Sequence, residues 1–218
     1  KAHIEVESKP HVHIFSTGDE IVGLHETPKD HQIRSSNVMM LKSVLLSKGF
    51  KANSSHLADS AEKIKASFDK ALDSNDIILL SGGVSAGKKD LIPGVLAEAG
   101  FETVFHKISQ KPGRPLLVAT RPDGKVVFAF PGNPISTLTC FWVYFLPWVS
   151  GEWPEYQVKE IKFLPKPSAE LDQWIPVENG EVLAHNGSGD LINWSRADGL
   201  VWQKAGDKAK KLPYIPLK

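Results

Sequence analysis

The residues that most clearly could bind a ligand form a glycine-rich loop at residues 81–90, which reads Ser-Gly-Gly-Val-Ser-Ala-Gly-Lys-Lys-Asp. It follows an apolar run, residues 77–80, that has the character of a buried strand. A strand that ends in glycines leaves backbone N–H groups able to face a phosphate-sized anion. The pattern predicts a ligand loop, although the same glycines also suit a tight turn without any ligand.

Acidic residues occur where predicted strands end or predicted helices begin. Asp19 and Glu20 follow the first predicted strand, and Asp90 ends the glycine-rich loop. Asp90 paired with Asp19 or Glu20 would supply oxygen ligands for a divalent cation that bridges phosphate oxygens. A helix cap explains Asp90 equally well, and it is the first interpretation of Asp59, which precedes a helical pattern.

Two lysines, Lys107 and Lys111, flank a stiff, positively charged loop that ends at Pro115. Both would neutralise phosphate as point charges, whereas lysines in surface loops are ordinarily only solvated. Further along, Asn133 and Pro134 have the residue types of a helix cap and a first helical position, in a helix expected to run to about residue 149. Because helix N-termini attract anions, this helix start is a second candidate anion site.

Composition excludes several classes of protein. Lys and Arg number 26 and Asp and Glu 25, which leaves a net charge of +1 and argues against nucleic acid as a partner. The single cysteine, Cys140, lies in an apolar helical stretch, so we expect it in the core. The histidines show no spacing that predicts a zinc site. No apolar run reaches the roughly 18 residues of a membrane span, and we expect a soluble, cytoplasmic protein.

Strands alternate with helices along the first two thirds of the chain. Six strands are predicted, at residues 11–16, 51–57, 76–80, 102–108, 116–120 and 126–130, the last two as a hairpin. Helices are predicted at residues 38–48 with Asn37 as cap, from residue 59 to about 72, and at residues 91–99. This order predicts an α/β fold with a mainly parallel sheet in three layers, whose ligands bind at the carboxyl ends of the strands.

The pattern changes near residue 151 to short apolar stretches separated by glycines. Strands are expected at residues 161–164, 174–177, 182–184 and 200–202, which predicts a small β domain. We therefore divide the chain into a linker or remnant at residues 1–10, an α/β domain at 11–152 and a β domain at 153–218. The chain begins with Lys1 rather than Met, so we expect it to be part of a longer polypeptide.

Five motifs in fixed order resemble the molybdopterin molybdotransferases, the family of MoeA and the gephyrin E domain. They are Ser16-Thr-Gly-Asp-Glu20, Gln32-Ile-Arg-Ser-Ser-Asn37, Ser81-Gly-Gly-Val-Ser-x-Gly-x-x-Asp90, Lys107-x-x-x-Lys-Pro-Gly-Arg-Pro115 and Phe130-Pro-Gly-Asn-Pro-x-Ser136. The tail from Gly187 to Gly199 is similar to the family's Gly-Ser-Gly and Ala-Asp-Gly pattern, in its last domain, a β-barrel. The resemblance covers the C-terminal portion of a full-length member and implies a MogA-like molybdopterin-binding domain followed by a small C-terminal β-barrel.

The resemblance implies a reaction in molybdenum cofactor biosynthesis. Molybdate is inserted into the dithiolene of adenylylated molybdopterin, AMP is released, and Mg²⁺ is required. Glu20, Asp59, Asp90, Lys107 and Lys111 would be catalytic, and Asp90 and Glu20 would hold the metal. A larger group would bind molybdopterin and its phosphates: Thr17, Gly18, Asp19, Ser36, Asn37, Gly82, Gly83, Val84, Ser85, Gly87, Pro112, Gly113, Pro131, Gly132, Asn133, Pro134, Ser136 and Ser188.

Two departures from the family pattern limit what the resemblance implies about metal binding and turnover by this chain. Lys88 and Lys89 stand where members often carry a carboxylate, which makes metal binding by that loop less favourable. Full-length members also have two further domains upstream and complete their active site across a homodimer.

Two alternatives remain open. One is the molybdopterin adenylyltransferase of the same pathway, which resembles the α/β domain, typically lacks the tail and is itself an expected partner. The other is a non-catalytic molybdopterin-binding or scaffold module.

Overall fold

The computed structural model describes residues 3, 8–57, 60–84, 91–184, 187 and 189–217. The described residues fall into two compact units. The first draws on segments 1–83, 89–104 and 118–129, and the second on segments 84–88, 105–117 and 130–218. Within the described part of the chain, no helix has the length and apolar character needed to cross a membrane.

A six-stranded sheet forms the centre of the first unit. Its order is β4-β1-β5-β9-β8-β6, with β1 Val12–Thr17, β4 Ala52–Leu57, β5 Ile77–Ser81, β6 Glu102–His106, β8 Leu117–Thr120 and β9 Val126–Phe130. β1 pairs in parallel with both β4 and β5. All five residues of β5 are buried, as expected for a strand covered on both faces. The sheet is mixed rather than purely parallel, because β8 and β9 form the predicted hairpin.

Three helices accompany this sheet: α1 Ser36–Ser47, α2 Ala61–Leu72 and α3 Ile92–Glu98. The buried positions Ile64, Phe68 and Leu72 of α2 recur at helical spacing, which confirms its predicted apolar face. The prediction that Asn37 caps α1 is wrong. The cap position is Ser35, and Asn37 lies in the first turn, where its amide makes a tertiary contact instead.

Between the first predicted strand and the first predicted helix lie two short parallel strands, β2 Ile21–Val22 and β3 Ile33–Arg34. Their pairing returns the chain to the turn that follows β1. The Ile33 N–H donates to the Glu20 carbonyl at 2.8 Å, and the Ser35 N–H donates to the Val22 carbonyl at 2.9 Å. The two strands therefore join the first two sequence motifs.

The second unit contains a mostly antiparallel sheet. Five strands run in the order β10-β14-β13-β11-β12, with β10 Gln157–Glu160, β11 Asp172–Glu178, β12 Glu181–Val182, β13 Gly199–Gln203 and β14 Lys211–Pro216. A further short strand, β7 Gln110–Lys111, pairs in parallel with the start of β11. Closure of these strands into a barrel and the domain boundary at residue 152 stay predictions.

A continuous helical stretch also belongs to the second unit. It consists of α4 Pro134–Cys140, a π-helical turn at Phe141–Phe145 and α5 Leu146–Ser150, which matches the predicted helix. Gly151 follows in the left-handed conformation that ends it. α6, Leu191–Trp194, is a single turn capped by the Asp190 side chain. Trp194 packs with Ile135, Val143 and β-strand residues in one apolar cluster.

Candidate functional site

The ends of β1 and β5 bring Thr17 next to the first two glycines of the loop. Ser16 and Ser81 are paired across the parallel strands, so Thr17 and Gly82 follow at the same edge. The Thr17 hydroxyl donates to the Ser81 carbonyl at 3.4 Å. A Cβ at Gly82 would lie 2.5 Å from Thr17 Oγ1, and one at Gly83 would lie 2.9 Å from a side-chain carbon of Ile92. Both positions therefore require glycine, because a side chain at either would collide with a neighbouring residue.

Both glycines also need their missing side chain for conformational reasons. Gly82 has φ +98° and Gly83 has φ +71°, which is left-handed backbone that other residues avoid. Val84, the next residue, is fully buried, so the structure does not expose it for the predicted ligand contact. Ser85, Gly87 and Asp90, together with the neighbouring Lys88 and Lys89, lie outside the described residues, as do Asp59 and Ser188.

The turn after β1 carries Glu20, which was predicted to act in catalysis, and Asp19, which was predicted to bind molybdopterin. Gly18 has φ +109°, and a Cβ there would lie 2.4 Å from Glu20 Oε1, so the Glu20 carboxylate folds back over Gly18. Asp19 and Glu20 are exposed. The Ile21 N–H closes the turn on the Gly18 carbonyl at 2.9 Å. Glu20 is thus held near the strand end while it stays accessible.

Asn37 reaches the same edge of the sheet from α1. Its Nδ2 donates to Ser81 Oγ at 2.8 Å, which joins the second motif to the residue that precedes the glycines. Ser36 is exposed at the first position of α1. A contact that the sequence did not predict lies beside it: Ser16 Oγ is 3.0 Å from His56 Nδ1, across the β1–β4 pairing. Register between parallel strands is a tertiary property, so no local signal pointed to His56.

In the second unit, the loop from Lys107 to Leu116 is closed by backbone hydrogen bonds. The Lys107 N–H donates to the Leu116 carbonyl and the Ile108 N–H to the Arg114 carbonyl, both at 2.9 Å. Lys107 has φ +71°, an uncommon conformation for a residue with a side chain. Lys107, Lys111 and Arg114 are exposed, so three cationic side chains surround one short loop.

Gly113 lies at the buried side of this loop. A Cβ there would lie 2.4 Å from Cys140 Sγ and 2.9 Å from Gln110 Nε2, so the loop sits directly on helix α4 and on the Gln110 amide. The peptide bond before Pro112 is cis. Burial raises the pKa of the Cys140 thiol, which keeps it protonated. Cys140 is therefore a core residue, as expected.

The turn before α4 is fixed by a buried threonine. Thr137 Oγ1 lies 2.6 Å from the Pro131 carbonyl oxygen and 3.1 Å from that of Asn133. Asn133 occupies the predicted cap position, although its side chain makes no cap hydrogen bond, and Pro134 is the first helical residue. Gly132 is exposed, whereas Ser136 is buried at 7% exposure. The predicted hydroxyl donor Ser136 therefore faces the interior.

The Ala-Asp-Gly motif of the tail has a structural explanation. Asp198 Oδ2 accepts a hydrogen bond from the Asn179 N–H at 2.6 Å, and the Tyr214 hydroxyl lies 3.1 Å from Asp198 Oδ1. A Cβ at Gly199 would lie 2.0 Å from the Tyr214 ring. The motif thus fixes a β-turn and the packing of β13 against β14.

No group of three or more His, Cys, Asp or Glu residues able to hold a metal occurs among the described residues. Glu20 alone supplies an accessible carboxylate from the predicted metal ligands. The other predicted ligand, Asp90, belongs to the undescribed part of the loop.

Comparison with known protein families assigns this chain to a family. Residues 13–151 match the family described as "Probable molybdopterin binding domain". The chain belongs to the molybdopterin-binding domain family. The matched segment contains all five motifs, from Ser16 to Ser136. The residues around Thr17 and those around Gly113 both lie within the matched segment.

One relative of this molybdopterin-binding domain extends the likeness over nearly the whole chain. A molybdopterin molybdenumtransferase from Synechocystis is 36% identical over 208 residues, which is 92% of this chain and 53% of that protein. One from Nostoc is 33% identical over 147 residues, which is 66% of this chain and 34% of that protein. The chain spans about half the length of the first of these relatives and a third of the second.

A solved structure agrees with this assignment. The crystal structure of the molybdopterin biosynthesis MoeA protein from Pyrococcus horikoshii superposes with a TM-score of 0.80 and 28% sequence identity. The match covers 96% of this chain and 55% of that one. The chain is thus similar to about half of a protein of molybdopterin biosynthesis.

Proposed function

We propose that this chain is the molybdopterin-binding part of a molybdopterin molybdotransferase, which inserts molybdate into adenylylated molybdopterin and releases AMP. The observation that carries this proposal is the length of the match to the Synechocystis molybdenumtransferase, which reaches across 92% of the chain and includes the tail. The alternative adenylyltransferase typically lacks such a tail. Other relatives of this chain that are named molybdopterin molybdenumtransferase support the same reaction class.

The strand ends of the first unit suit a pterin with phosphate groups. Gly82 and Gly83 keep the backbone beside Thr17 open, since a Cβ at either would collide with a neighbour. In the proposal, the backbone of Thr17, Gly18 and the two glycines binds the ligand, and Asn37 holds Ser81 in place beneath it. Ser36, Asp19, Val84, Ser85, Gly87 and Ser188 complete the predicted binding set.

The second unit supplies positive charge. Lys107 and Lys111 would stabilise the negative charge that develops on the leaving AMP phosphate when the phosphoanhydride is cleaved. Pro112 and Gly113 shape the loop that carries Lys111. The first turn of α4 would turn its backbone N–H groups toward an oxoanion, whereas Pro131 and Pro134 themselves carry no N–H. Ser136 is buried, so in the proposal it stabilises the start of α4 instead of contacting the substrate.

In this proposal, Glu20 and Asp90 would hold Mg²⁺, which would offset the negative charge of the substrate phosphates. Mg²⁺ is typically bound by one or two carboxylates together with substrate phosphates, so a preformed cluster of three protein ligands is not required. Glu20 is exposed at the Gly18 turn and fits this role. Asp59 would orient the attacking water.

The assembly and setting of the enzyme belong to the same proposal. We expect a cytoplasmic homodimer that receives its substrate from the molybdopterin adenylyltransferase. We also expect the C-terminal strands to close as a small β-barrel, with residues 153–218 as a separate domain. Analytical ultracentrifugation of the full-length protein tests the dimer.

The test of the function is molybdate-dependent release of AMP from adenylylated molybdopterin. The assay uses this chain and the full-length product of its reading frame side by side. Release of AMP that requires molybdate supports the proposal. ATP-dependent adenylylation of molybdopterin instead supports the adenylyltransferase, and tight pterin binding with neither activity supports a scaffold module.

A further inference from the structure

Gln110 is a buried polar residue that the five motifs do not explain. Gln110 is only 3% exposed, and it lies immediately before Lys111 in the loop from Lys107 to Leu116. Because three exposed cationic side chains surround this loop, it is called the cationic loop below. A buried amide is unfavourable unless both its donor and its acceptor are used. The partners of Gln110 therefore show why the residue is there.

The amide nitrogen of Gln110 holds the loop. Nε2 donates to the Pro112 carbonyl at 2.9 Å. The same nitrogen would lie 2.9 Å from a Cβ at Gly113, so the loop backbone rests directly on the amide. Gln110 thus contacts the loop at the two residues that follow Lys111.

The amide oxygen of Gln110 is fixed by two other elements. It accepts a hydrogen bond from Trp174 Nε1 on β11 at 3.0 Å and another from the hydroxyl of Tyr144 in the π-helical turn. Burial raises the pKa of the Tyr144 phenol, so the hydroxyl remains a donor. With both oxygen lone pairs engaged, the amide plane cannot rotate away from Pro112 without losing hydrogen bonds.

The backbone adds a second attachment to the same strand. Gln110 and Lys111 form β7, which pairs with Asp172 and Gln173 of β11 in parallel register. Lys111 is therefore placed by the C-terminal sheet through its backbone, while Gln110 ties the following loop to that sheet through its side chain.

We propose that Gln110 is a positioning residue that holds the loop from Lys111 to Arg114 in the form that binds the anionic substrate, anchored on Trp174 and Tyr144. This inference rests on the proposed function, because the anion is the phosphate of adenylylated molybdopterin. A loop that is already ordered loses less entropy when it binds, so its affinity is higher than that of a loose loop with the same charges.

The experiment compares Gln110→Met with Gln203→Met in the intact protein. Met preserves the length of the side chain and removes its donor and acceptor. Gln203 is a matched control, since it is 1% exposed on β13 and its side chain hydrogen-bonds with Gln173 and the Asp207 carbonyl, and not with residues 107–116. Two quantities are measured: hydrogen exchange of the amides at residues 107–116, and the Kd for adenylylated molybdopterin from its pterin fluorescence.

We expect Gln110→Met to speed exchange at Lys107 and Ile108 and to raise Kd about tenfold. Gln203→Met should lower Tm to a similar degree and leave both quantities unchanged. Tyr144→Phe, which keeps the Pro112 contact, should stay within about threefold of the wild-type Kd. If Gln110→Met does not fold, Gln110→Glu tests the same contact, because it retains the acceptor for Tyr144 and Trp174 and removes the donor to Pro112.

Unchanged exchange in the loop of a folded Gln110 variant would overturn the proposal, as would faster exchange with an unchanged Kd. An equal rise of Kd in Gln203→Met would show a general loss of stability instead of positioning, and would also overturn it. If the wild-type protein does not bind adenylylated molybdopterin, the proposed function fails. The exchange measurement then still decides whether Gln110 orders the loop.

Discussion

At the scale of residues, two constraints require glycine at position 82. The conformation of Gly82 and its distance from Thr17 are two separate constraints, and the structure contains a glycine that has only the first of them. Gly124, in the turn between β8 and β9, has φ +86°, and a Cβ there would meet nothing within 4 Å. The two glycines therefore allow the two effects to be measured separately.

We predict that Gly82→Ala lowers the free energy of unfolding by about 2–3 kcal/mol. About 1–2 kcal/mol arises from left-handed backbone, and the remainder from the approach of the new methyl group to 2.5 Å from Thr17 Oγ1. Urea denaturation measures the change. Gly124→Ala is the control and should show only the backbone effect, so equal losses for the two variants would contradict a steric role for Thr17.

The proposed role of Lys107 and Lys111 depends on their charge. We predict that Lys107→Ala together with Lys111→Ala weakens binding of adenylylated molybdopterin, and that the loss shrinks as salt rises, because exposed charges are screened within about 10 Å at 0.1 M ionic strength. Titration at several NaCl concentrations measures Kd. Lys208→Ala with Lys210→Ala removes the same net charge from an exposed segment and should change Kd little. A loss that is independent of salt would argue against a phosphate contact.

At the scale of elements, the turn before α4 depends on one buried hydroxyl. Thr137→Val preserves the shape of the side chain and leaves the carbonyls of Pro131 and Asn133 without that donor. We predict a loss of about 1–3 kcal/mol in the free energy of unfolding. Chemical denaturation gives the value.

Thr139→Val is the matched control for this change. Thr139 is also fully buried on α4, and its hydroxyl donates to the Ile135 carbonyl four residues earlier at 2.8 Å. That carbonyl lies within the helix, where a backbone N–H is also available to it, so we expect a smaller loss. A larger loss at Thr139 would contradict the assignment of Thr137 as the residue that fixes the turn.

Elements with a strong local signal could be predicted from the sequence. The continuous apolar run of β5 predicts a strand, the helical spacing of apolar residues in α2 predicts a helix, and Pro134 predicts the start of α4. β14 was missed because Lys211, Pro213 and Pro216 obscure its alternation. The strand predicted at residues 161–164 was wrong, since β10 ends at Glu160. Edge and short strands depend on partners distant in sequence, which local patterns do not contain.

In the candidate site, too, features with a local sequence signal could be predicted and those that depend on distant partners could not. Thr17 and the glycines meet because parallel strands align their carboxyl ends, and this followed from the α/β pattern. The role of Gln110 required knowledge that β7 pairs with β11, about sixty positions away, and no local pattern encodes that pairing. Asn37 was assigned to the wrong task for a related reason: its amide bonds Ser81 across the fold instead of the nearby helix backbone.

At the scale of the whole molecule, the second unit combines sequence from both sides of the predicted boundary at residue 152. Ile135 and Val143, before the boundary, share one apolar cluster with Trp174, Trp194, Leu200 and Ile215, after it. Each fully buried apolar side chain contributes about 1.5–3 kcal/mol. The segment that carries Lys111 is also attached to the tail, through the hydrogen bond from Trp174 to Gln110.

We predict that a chain ending at residue 152 does not keep the loop at residues 107–116 ordered. Removal of the tail exposes Ile135 and Val143 and removes Trp174 from Gln110, and the lost burial is comparable with the roughly 5–15 kcal/mol of a typical domain. Increased binding of the dye ANS and fast amide exchange in the loop are the measurements. Co-expression of residues 153–218 as a separate chain is the control and should restore protection. A truncated chain that retains full protection at Lys107 and Ile108 would show that the loop is ordered without the tail.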